Sequence, residues 1–321
     1  AILLVLTAPL AYRTGGGYAN AVQISDQQSQ PGEVANWDTS LDWTAANTPA
    51  EGTYGSGGEG TLEYYGTYDR TEDFQYEDGE YGVMAWWDYG HWITVLGERV
   101  PVANPFQQNA RVAANYLLGD NETEANELLV SGSGEETRYV MIDYQLGLAG
   151  TQKFSAPAAW ERDHDVSAAD LRTPIYAVNR QTGGVQLAYA VKSQRSMESM
   201  RSRLYEFHGS AVGPETRNSA LGRQVVVADW DVTRFQSGQS VPTVPTDTQP
   251  IKVRRNLTAA QQYVRQNGSA QIGGVLGEPQ EKIPALKHYR LVYASPERAE
   301  TPASRGYRFA LAQQGQQATP I

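Results

Sequence analysis

YGVMAWWDYGHWIT, residues 81–94, is the stretch on which the reading of the fold turns. Tyr81–Ala85 is a short apolar run that reads as a strand. It delivers the block Trp86-Trp87-Asp88-Tyr89-Gly90-His91-Trp92-Ile93, in which two adjacent indoles flank a carboxylate. An indole N–H can only donate a hydrogen bond and an ionised carboxylate can only accept one. Such a pair can hold a small hydroxyl, which gives its proton to Asp88 and receives one from a tryptophan. The same residues also fit an aromatic core cluster with Asp88 capping the turn at Gly90.

Helical signals surround this segment. Upstream, Trp37, Leu41 and Ala45 recur at i, i+4 and i+8, a short amphipathic helix stopped by Asn47-Thr48-Pro49. Downstream, Asn104-Pro105 reads as a cap and first helical residue, with Phe106, Ala110, Ala113 and Leu117 on one face up to Gly119. Asn121 with Glu124 resembles a capping box for a helix through Leu128 and Leu129. Tyr139–Asp143 is expected to be a buried strand ending in a carboxylate, and Lys153–Trp160 a helical turn bent at Pro157. Beyond Leu171 strands dominate: Ile175–Asn179 and Val185–Tyr189 flank Gln-Thr-Gly-Gly as a hairpin, with further strands at Gln224–Asp229, Gln271–Val275 and Tyr289–Tyr293. Met197–Phe207 and Thr258–Gln266 read as helices, and Pro242, Pro245 and Pro250 as a surface loop. The expected class is α+β: a mixed helical central core carrying the WWDYG segment, with a β-rich C-terminal portion.

The chain has 321 residues with a formal charge of −10, no cysteine and four histidines. Disulfides, thiolate metal sites and cysteine nucleophiles are thereby excluded. A pI near 5.0 argues against nucleic acid as a partner. Lysine occurs five times, against 21 arginines, and Arg70 is the sole cation between Arg13 and Arg99, where acids are dense. An acidic, lysine-poor surface suits concentrated salt, where net charge preserves solubility; composition drift gives the same texture. Ala1–Leu10 is nearly unbroken apolar sequence, too short to cross a bilayer, and reads as the tail of a transmembrane helix. The expected organisation is 1–12 the end of that helix, 13–36 a linker, 37–171 the core domain, and 172–321 a hairpin insertion with the remaining mixed part.

The pentapeptide Trp86-Trp87-Asp88-Tyr89-Gly90 resembles the signature of oligosaccharyltransferase catalytic subunits. Its surroundings, YGVMAWWDYGHWIT, ANPFQQNARVAANYLL, RLYEFHGSA and ALKHYRLVYAS, are similar to the archaeal AglB branch, from about Trp37 to Ser295. The resemblance implies that Trp86, Trp87 and Asp88, with Tyr89 and Gly90, bind the +2 Ser or Thr of an Asn-X-Ser/Thr acceptor. The family carries a second signature, DxxK or DxxM, with Met or Ile four residues beyond its second named position. Asp143 and Lys153 match the DK type at a longer spacing, with Pro157 where the family has Met or Ile. Read without the family, Asp143 caps a loop and Lys153 is a solvated surface charge.

The resemblance further implies a multi-pass protein of the cell membrane with this domain on the extracellular face. Its partners would be an acceptor polypeptide and a dolichyl phosphate type of lipid-linked oligosaccharide. Carboxylates and Mn²⁺ or Mg²⁺ held by an N-terminal membrane part would supply catalysis, leaving no catalytic or metal-binding residue here and a fragment inactive alone. A rival reading from another class is a secreted carbohydrate-binding or surface-layer module, with Trp86, Trp87 and Trp92 as a stacking platform. Asp229 and Asp231 alternate at a strand end in the manner of paired glycosidase acids, a pattern common on surfaces. His91 has no partner for catalysis in the sequence, and Gly15–Gly17 and Gly273-Gly274 lack the lysine and spacing of a phosphate loop. Sequons stand at Asn121, Asn256 and Asn267.

Overall fold

The computed structural model describes residues 11–14, 17–20, 34, 36–49, 81–131, 137–151, 153–178, 184–215, 223–234, 238–245, 251–275 and 277–295. The apolar run at residues 1–10 and the acidic stretch up to Glu80 lie outside them. Across the expected boundary between residues 1–12 and the linker at 13–36, β1 (Ala11–Thr14) and β2 (Gly17–Asn20) pair antiparallel. No helix among the described residues is long and apolar enough to cross a membrane.

The core begins with α1 (Asp38–Asn47); of the expected stripe Trp37 and Leu41 are buried and Ala45 half-buried, with Thr44 buried beside them. Strand β3 (Gly82–Met84) lies between two parallel neighbours, β4 (Val100–Pro101) and β5 (Thr137–Val140). Between them run α2 (Gly90–Val95), α3 (Ala110–Leu118) and α4 (Glu122–Ser131). β3 is buried throughout, as a central parallel strand must be. Arg99 ties this layer to α1. Its Nη2 donates to the carbonyls of Ala45 (3.1 Å) and Thr48 (2.8 Å), satisfying groups at the α1 C-terminus, and its Nε donates to Thr48 Oγ1.

Two expectations in this region need correction. Helix α3 starts at Ala110, not at Pro105, and Phe106 stands 79% exposed in the preceding loop. The cause is local: the Phe106 amide donates to Asn104 Oδ1 at 3.0 Å, and Gln107 and Asn109 take left-handed backbone angles that a helix cannot continue through. The strand after α4 stops at Val140 and is half-buried rather than buried. Asn121 Oδ1 accepts the Thr123 amide and its Nδ2 donates to Glu124, a side-chain variant of the expected box.

Short helices α5 (Tyr144–Gly147) and α6 (Ala168–Leu171) bracket a 3₁₀ run, Lys153–Ala159, that contains Pro157. The expected hairpin forms from β6 (Arg172–Val178) and β7 (Val185–Lys192), antiparallel with Ile175 opposite Tyr189. The expected helix from Met197 is broken in two, α7 (Gln194–Glu198) and α8 (Met200–Tyr205), where Ser199 is extended at ψ 146°. The remaining elements are β8 (Val225–Asp229), β9 (Asp231–Arg234), β10 (Ser240–Pro245), β11 (Ile251–Arg254), α9 (Leu257–Gln266) and β12 (Ala270–Ile272).

The prolines expected in a loop thus partly form β10, which pairs antiparallel with β9 and parallel with β6. Pro242 is accommodated because pairing with β6 begins only at Thr243, so its missing N–H deprives no β6 partner. Residues 289–293 form no strand; Leu291 and Val292 are about half exposed. In the C-terminal part, β8 is flanked by β11 and β12, and α9 packs Ala260 against Val225, Val227 and Ile272.

Phe154 is fully buried, with the cations of Arg201, Lys192 and Arg172 ranged over its ring at 4.1, 5.4 and 5.3 Å. Lys192 pairs with Glu206 and donates to the Gly147 carbonyl. A β-carbon on Gly147 would collide with the Tyr205 ring. Gly147→Ala is therefore expected to destabilise the domain by about 1–3 kcal/mol through overpacking. Urea denaturation reads this directly, and an unchanged midpoint would show that Tyr205 yields freely.

Candidate functional site

The aromatic block leaves the carboxyl end of β3, and Asp143 leaves the carboxyl end of the neighbouring parallel strand β5. This explains why residues far apart in sequence meet, since the carboxyl edge of a parallel sheet is where loops converge. Trp87–Tyr89 form a 3₁₀ turn that runs directly into α2. Gly90 is needed there because a β-carbon would strike the Ala103 carbonyl oxygen.

Lys153 Nζ lies 2.8 Å from Asp88 Oδ2 and 4.4 Å from the centre of the Tyr89 ring. Asp143 receives the Tyr89 hydroxyl at 2.7 Å, the Leu146 amide at 3.2 Å and the Trp37 indole N–H at 3.4 Å. It is thus both the N-cap of α5 and the anchor of Tyr89. Sequence spacing separated the two signatures; the fold joins Asp88, Tyr89, Asp143 and Lys153 into one network. Burial raises the pKa of Asp88 above the ordinary carboxylate value, against the opposing pull of Lys153, and the nearby Asp143 charge adds to the rise. Burial raises that of Asp143 likewise, against its hydrogen bonds.

The pentapeptide does not act as one surface. Trp86 (2% exposed), Tyr89 and Gly90 are buried, whereas Trp87 and Asp88 are half-buried. Trp86 belongs to the hydrophobic core and packs behind Trp87, with ring centres 5.9 Å apart. Tyr89 spends its hydroxyl on Asp143. Two polar atoms of the pentapeptide, Trp87 Nε1 and Asp88 Oδ1, are screened from solvent and find no hydrogen-bond partner among the described residues. One is an obligate donor and the other, when ionised, an obligate acceptor.

Sequence reasoning missed three residues here. Trp37 packs against Tyr89 with ring centres 4.3 Å apart and planes tilted by 40°, besides bonding Asp143, and Trp160 meets Trp87 edge-on at 5.9 Å. Half-buried Tyr205 lies within reach of the Asp143 charge, its hydroxyl pKa pushed up to about 12 by burial and next by that charge. Only Trp37 left a signal, as the first residue of an apolar stripe. The remaining candidates disperse: His91 is exposed and packs edge-on to Phe106, Asp229 accepts the Tyr263 hydroxyl, and Asp231 is exposed. Among the described residues no three carboxylate or imidazole side chains gather to hold a metal ion.

Residues 34–147 match the AglB core-like family, described as the AglB core domain. The chain is 44% identical over 306 residues to the dolichyl-monophosphooligosaccharide–protein glycotransferase AglB of Haloferax volcanii, covering 92% of this chain and 28% of that protein. Residues 34–147 belong to the AglB core-like family. Dolichyl-phosphooligosaccharide-protein glycotransferase 3 of Archaeoglobus fulgidus is 28% identical over 213 residues, 59% of this chain and 23% of the relative. The chain therefore spans about a quarter of the length of these relatives. A crystal structure of the Archaeoglobus fulgidus oligosaccharyltransferase, tethered to an acceptor peptide containing the NVT sequon, aligns with a TM-score of 0.40 at 25% identity, over 61% of this chain and 24% of that one. The sequence likeness, not the superposition, assigns the matched core to that family. The matched core contains the WWDYG block and Asp143 and ends before Lys153.

Proposed function

We propose that this chain is the acceptor-recognising part of an archaeal oligosaccharyltransferase, which transfers an oligosaccharide from a dolichyl phosphate type of lipid carrier to Asn in Asn-X-Ser/Thr. The orphaned pair Trp87 Nε1 and Asp88 Oδ1 carries the proposal. A Ser or Thr hydroxyl is both donor and acceptor, so one group can satisfy both atoms. An acceptor with Ala at that position leaves both unpaired, and sites built on hydrogen bonds reject such analogues strongly. Lys153 neutralises Asp88 through Oδ2 and leaves Oδ1 for the hydroxyl, while Asp143 fixes Tyr89 and, through it, the surface under Lys153.

The acceptor amide nitrogen is a poor nucleophile because its lone pair is delocalised into the carbonyl. Its activation falls to a part of the protein other than this chain, which would also hold Mn²⁺ or Mg²⁺ and the membrane anchor. The domain so defined works on the extracellular face of the cell membrane, its core at 37–171 and its β-rich part at 172–321. A flat stacking platform of Trp86, Trp87 and Trp92 does not fit, because Trp86 is buried and its plane meets that of Trp87 at 53°. Transfer assays on the full-length enzyme with matched Asn-X-Thr and Asn-X-Ala peptides test the reading. Transfer to the Thr peptide alone supports it, and equal use of both peptides would sink it. This chain by itself, given donor and peptide, is expected to yield no glycopeptide.

The charge of −10 carries a second consequence. Like-charge repulsion loosens a compact acidic fold and salt screens it, with a Debye length of about 3 Å at 1 M. The melting temperature is expected to rise from dilute buffer to molar KCl. A flat or falling response would assign the acidic composition to drift rather than to a salty environment.

A further inference from the structure

We infer that Asn256 is itself an N-glycosylation site, occupied in the native protein, while the sequons at Asn121 and Asn267 stay bare. The inference rests on the proposed extracellular placement. All three sequons have the required residues, Asn121-Glu-Thr123, Asn256-Leu-Thr258 and Asn267-Gly-Ser269, but the fold treats them differently.

At Asn121 the amide nitrogen donates to Glu124 at 2.8 Å. The middle residue, Glu122, is locked by the amides of Lys287 (2.8 and 3.0 Å) and His288 (2.8 Å) and by the His288 ring at 3.1 Å. At Asn267 the half-buried amide nitrogen donates to the Tyr263 carbonyl at 2.8 Å, and the Ser269 carbonyl accepts the Trp230 amide at 3.0 Å. Either sequon would have to leave long-range or helix-terminal bonds to be grasped.

Asn256 differs on each point. Its side chain and that of Thr258 are exposed, and its nitrogen donates to no described residue. Only its Oδ1 is engaged, accepting the Ala259 amide at 2.9 Å. A glycan on the nitrogen leaves that carbonyl oxygen free to keep its bond, so the modified side chain still caps α9. The face of α9 that packs inward carries Ala260, with Leu257, Tyr263 and Val264 against it, so a glycan at Asn256 points away from the core.

The donor is a lipid-linked oligosaccharide phosphate. The Nδ2 lone pair forms the bond to the anomeric carbon, and the bond from that carbon to the phosphate oxygen breaks. The lipid phosphate departs with the electron pair, and one Nδ2 proton passes to base.

The test is peptide mapping of the full-length protein made in an archaeal host that N-glycosylates its own surface proteins. Trypsin cuts after Arg255 and Arg265, isolating the peptide Asn256–Arg265. That peptide is expected to carry glycan in most molecules, and the peptides spanning Asn121 and Asn267 to be bare. Thr258→Ala removes the sequon hydroxyl but keeps the Asn256 cap, and should return the peptide to its bare mass without a loss of melting temperature. A bare Asn256–Arg265 peptide from cells whose surface proteins are glycosylated would overturn the inference, as would occupancy at Asn121 or Asn267 instead. Because host transferase does the modifying, a bare Asn256 beside intact Thr-selective transfer refutes this site alone.

Discussion

Asp88→Ala in the full-length enzyme should cut kcat/KM for Asn-X-Thr peptides by one to two decades, while any residual transfer to Asn-X-Ala stays nearly unchanged. A hydrogen bond to a charged partner contributes roughly 1.5–3 kcal/mol, and about 1.4 kcal/mol is one decade. The variant removes the acceptor Oδ1 and also frees Lys153 from its partner 2.8 Å away. Trp87→Phe isolates the other half of the pair. It keeps a ring against Trp160 but deletes the N–H, so a selective loss on the Thr peptide separates recognition from packing. Trp86→Phe supplies the contrast: Trp86 is a core residue, so its replacement should lower stability while leaving the Thr-over-Ala preference intact. If Asp88→Ala left that preference unaltered, the block would be an aromatic cluster and nothing more.

The site was legible in sequence wherever chemistry and adjacency coincide. Donor-only indole beside acceptor-only carboxylate is a local statement, and Trp87 with Asp88 satisfies it. Trp86 shows the limit: residue type cannot tell which of two adjacent indoles turns inward, because that depends on the direction in which the chain leaves β3. Asp143 and Lys153 were recognisable as a pair only through the family signature. Their meeting with Asp88 follows from two parallel strands ending side by side, which no spacing rule encodes. Trp37 and Trp160 escaped for the same reason, each reaching the site from a different element.

The fold shows the same division. Amphipathic α1 and α9, the β6–β7 hairpin and β8 follow from period and turn chemistry, and they stand where the patterns put them. Errors fell where side chains override propensity. Asn104 captured the Phe106 amide and delayed α3, and Ser199 broke an apolar helical stripe whose Met197 and Met200 are both buried. β10 keeps Pro242 because β6 pairs with it only from Thr243 onward.

Lys153→Met should lower Thr-peptide transfer at neutral pH by roughly one decade and move the acid limb of the pH profile upward. The sign follows from the balance at Asp88. Its pKa is raised because desolvation outweighs the hydrogen bond and the charge of Lys153, which pull it down. Receiving the acceptor hydroxyl through Oδ1 requires the ionised form, so transfer falls as pH drops through this raised pKa. Deleting the lysine removes the two largest lowering influences, and protonation then begins at higher pH. Stability moves with it. An acid whose folded pKa lies above its unfolded value binds its proton more tightly when folded, so its ionisation opposes folding at neutral pH. That penalty fades as pH falls through the folded pKa. Lys153→Met, which leaves a half-buried carboxylate less compensated, should therefore lower the melting temperature at neutral pH and lose that deficit on acidification. Lys153→Arg retains a positive charge and should recover much of both effects. Identical pH profiles and melting curves for the wild type and Lys153→Met would reduce Lys153 to a surface charge near Asp88, and the joint site of Asp88, Asp143 and Lys153 would not stand.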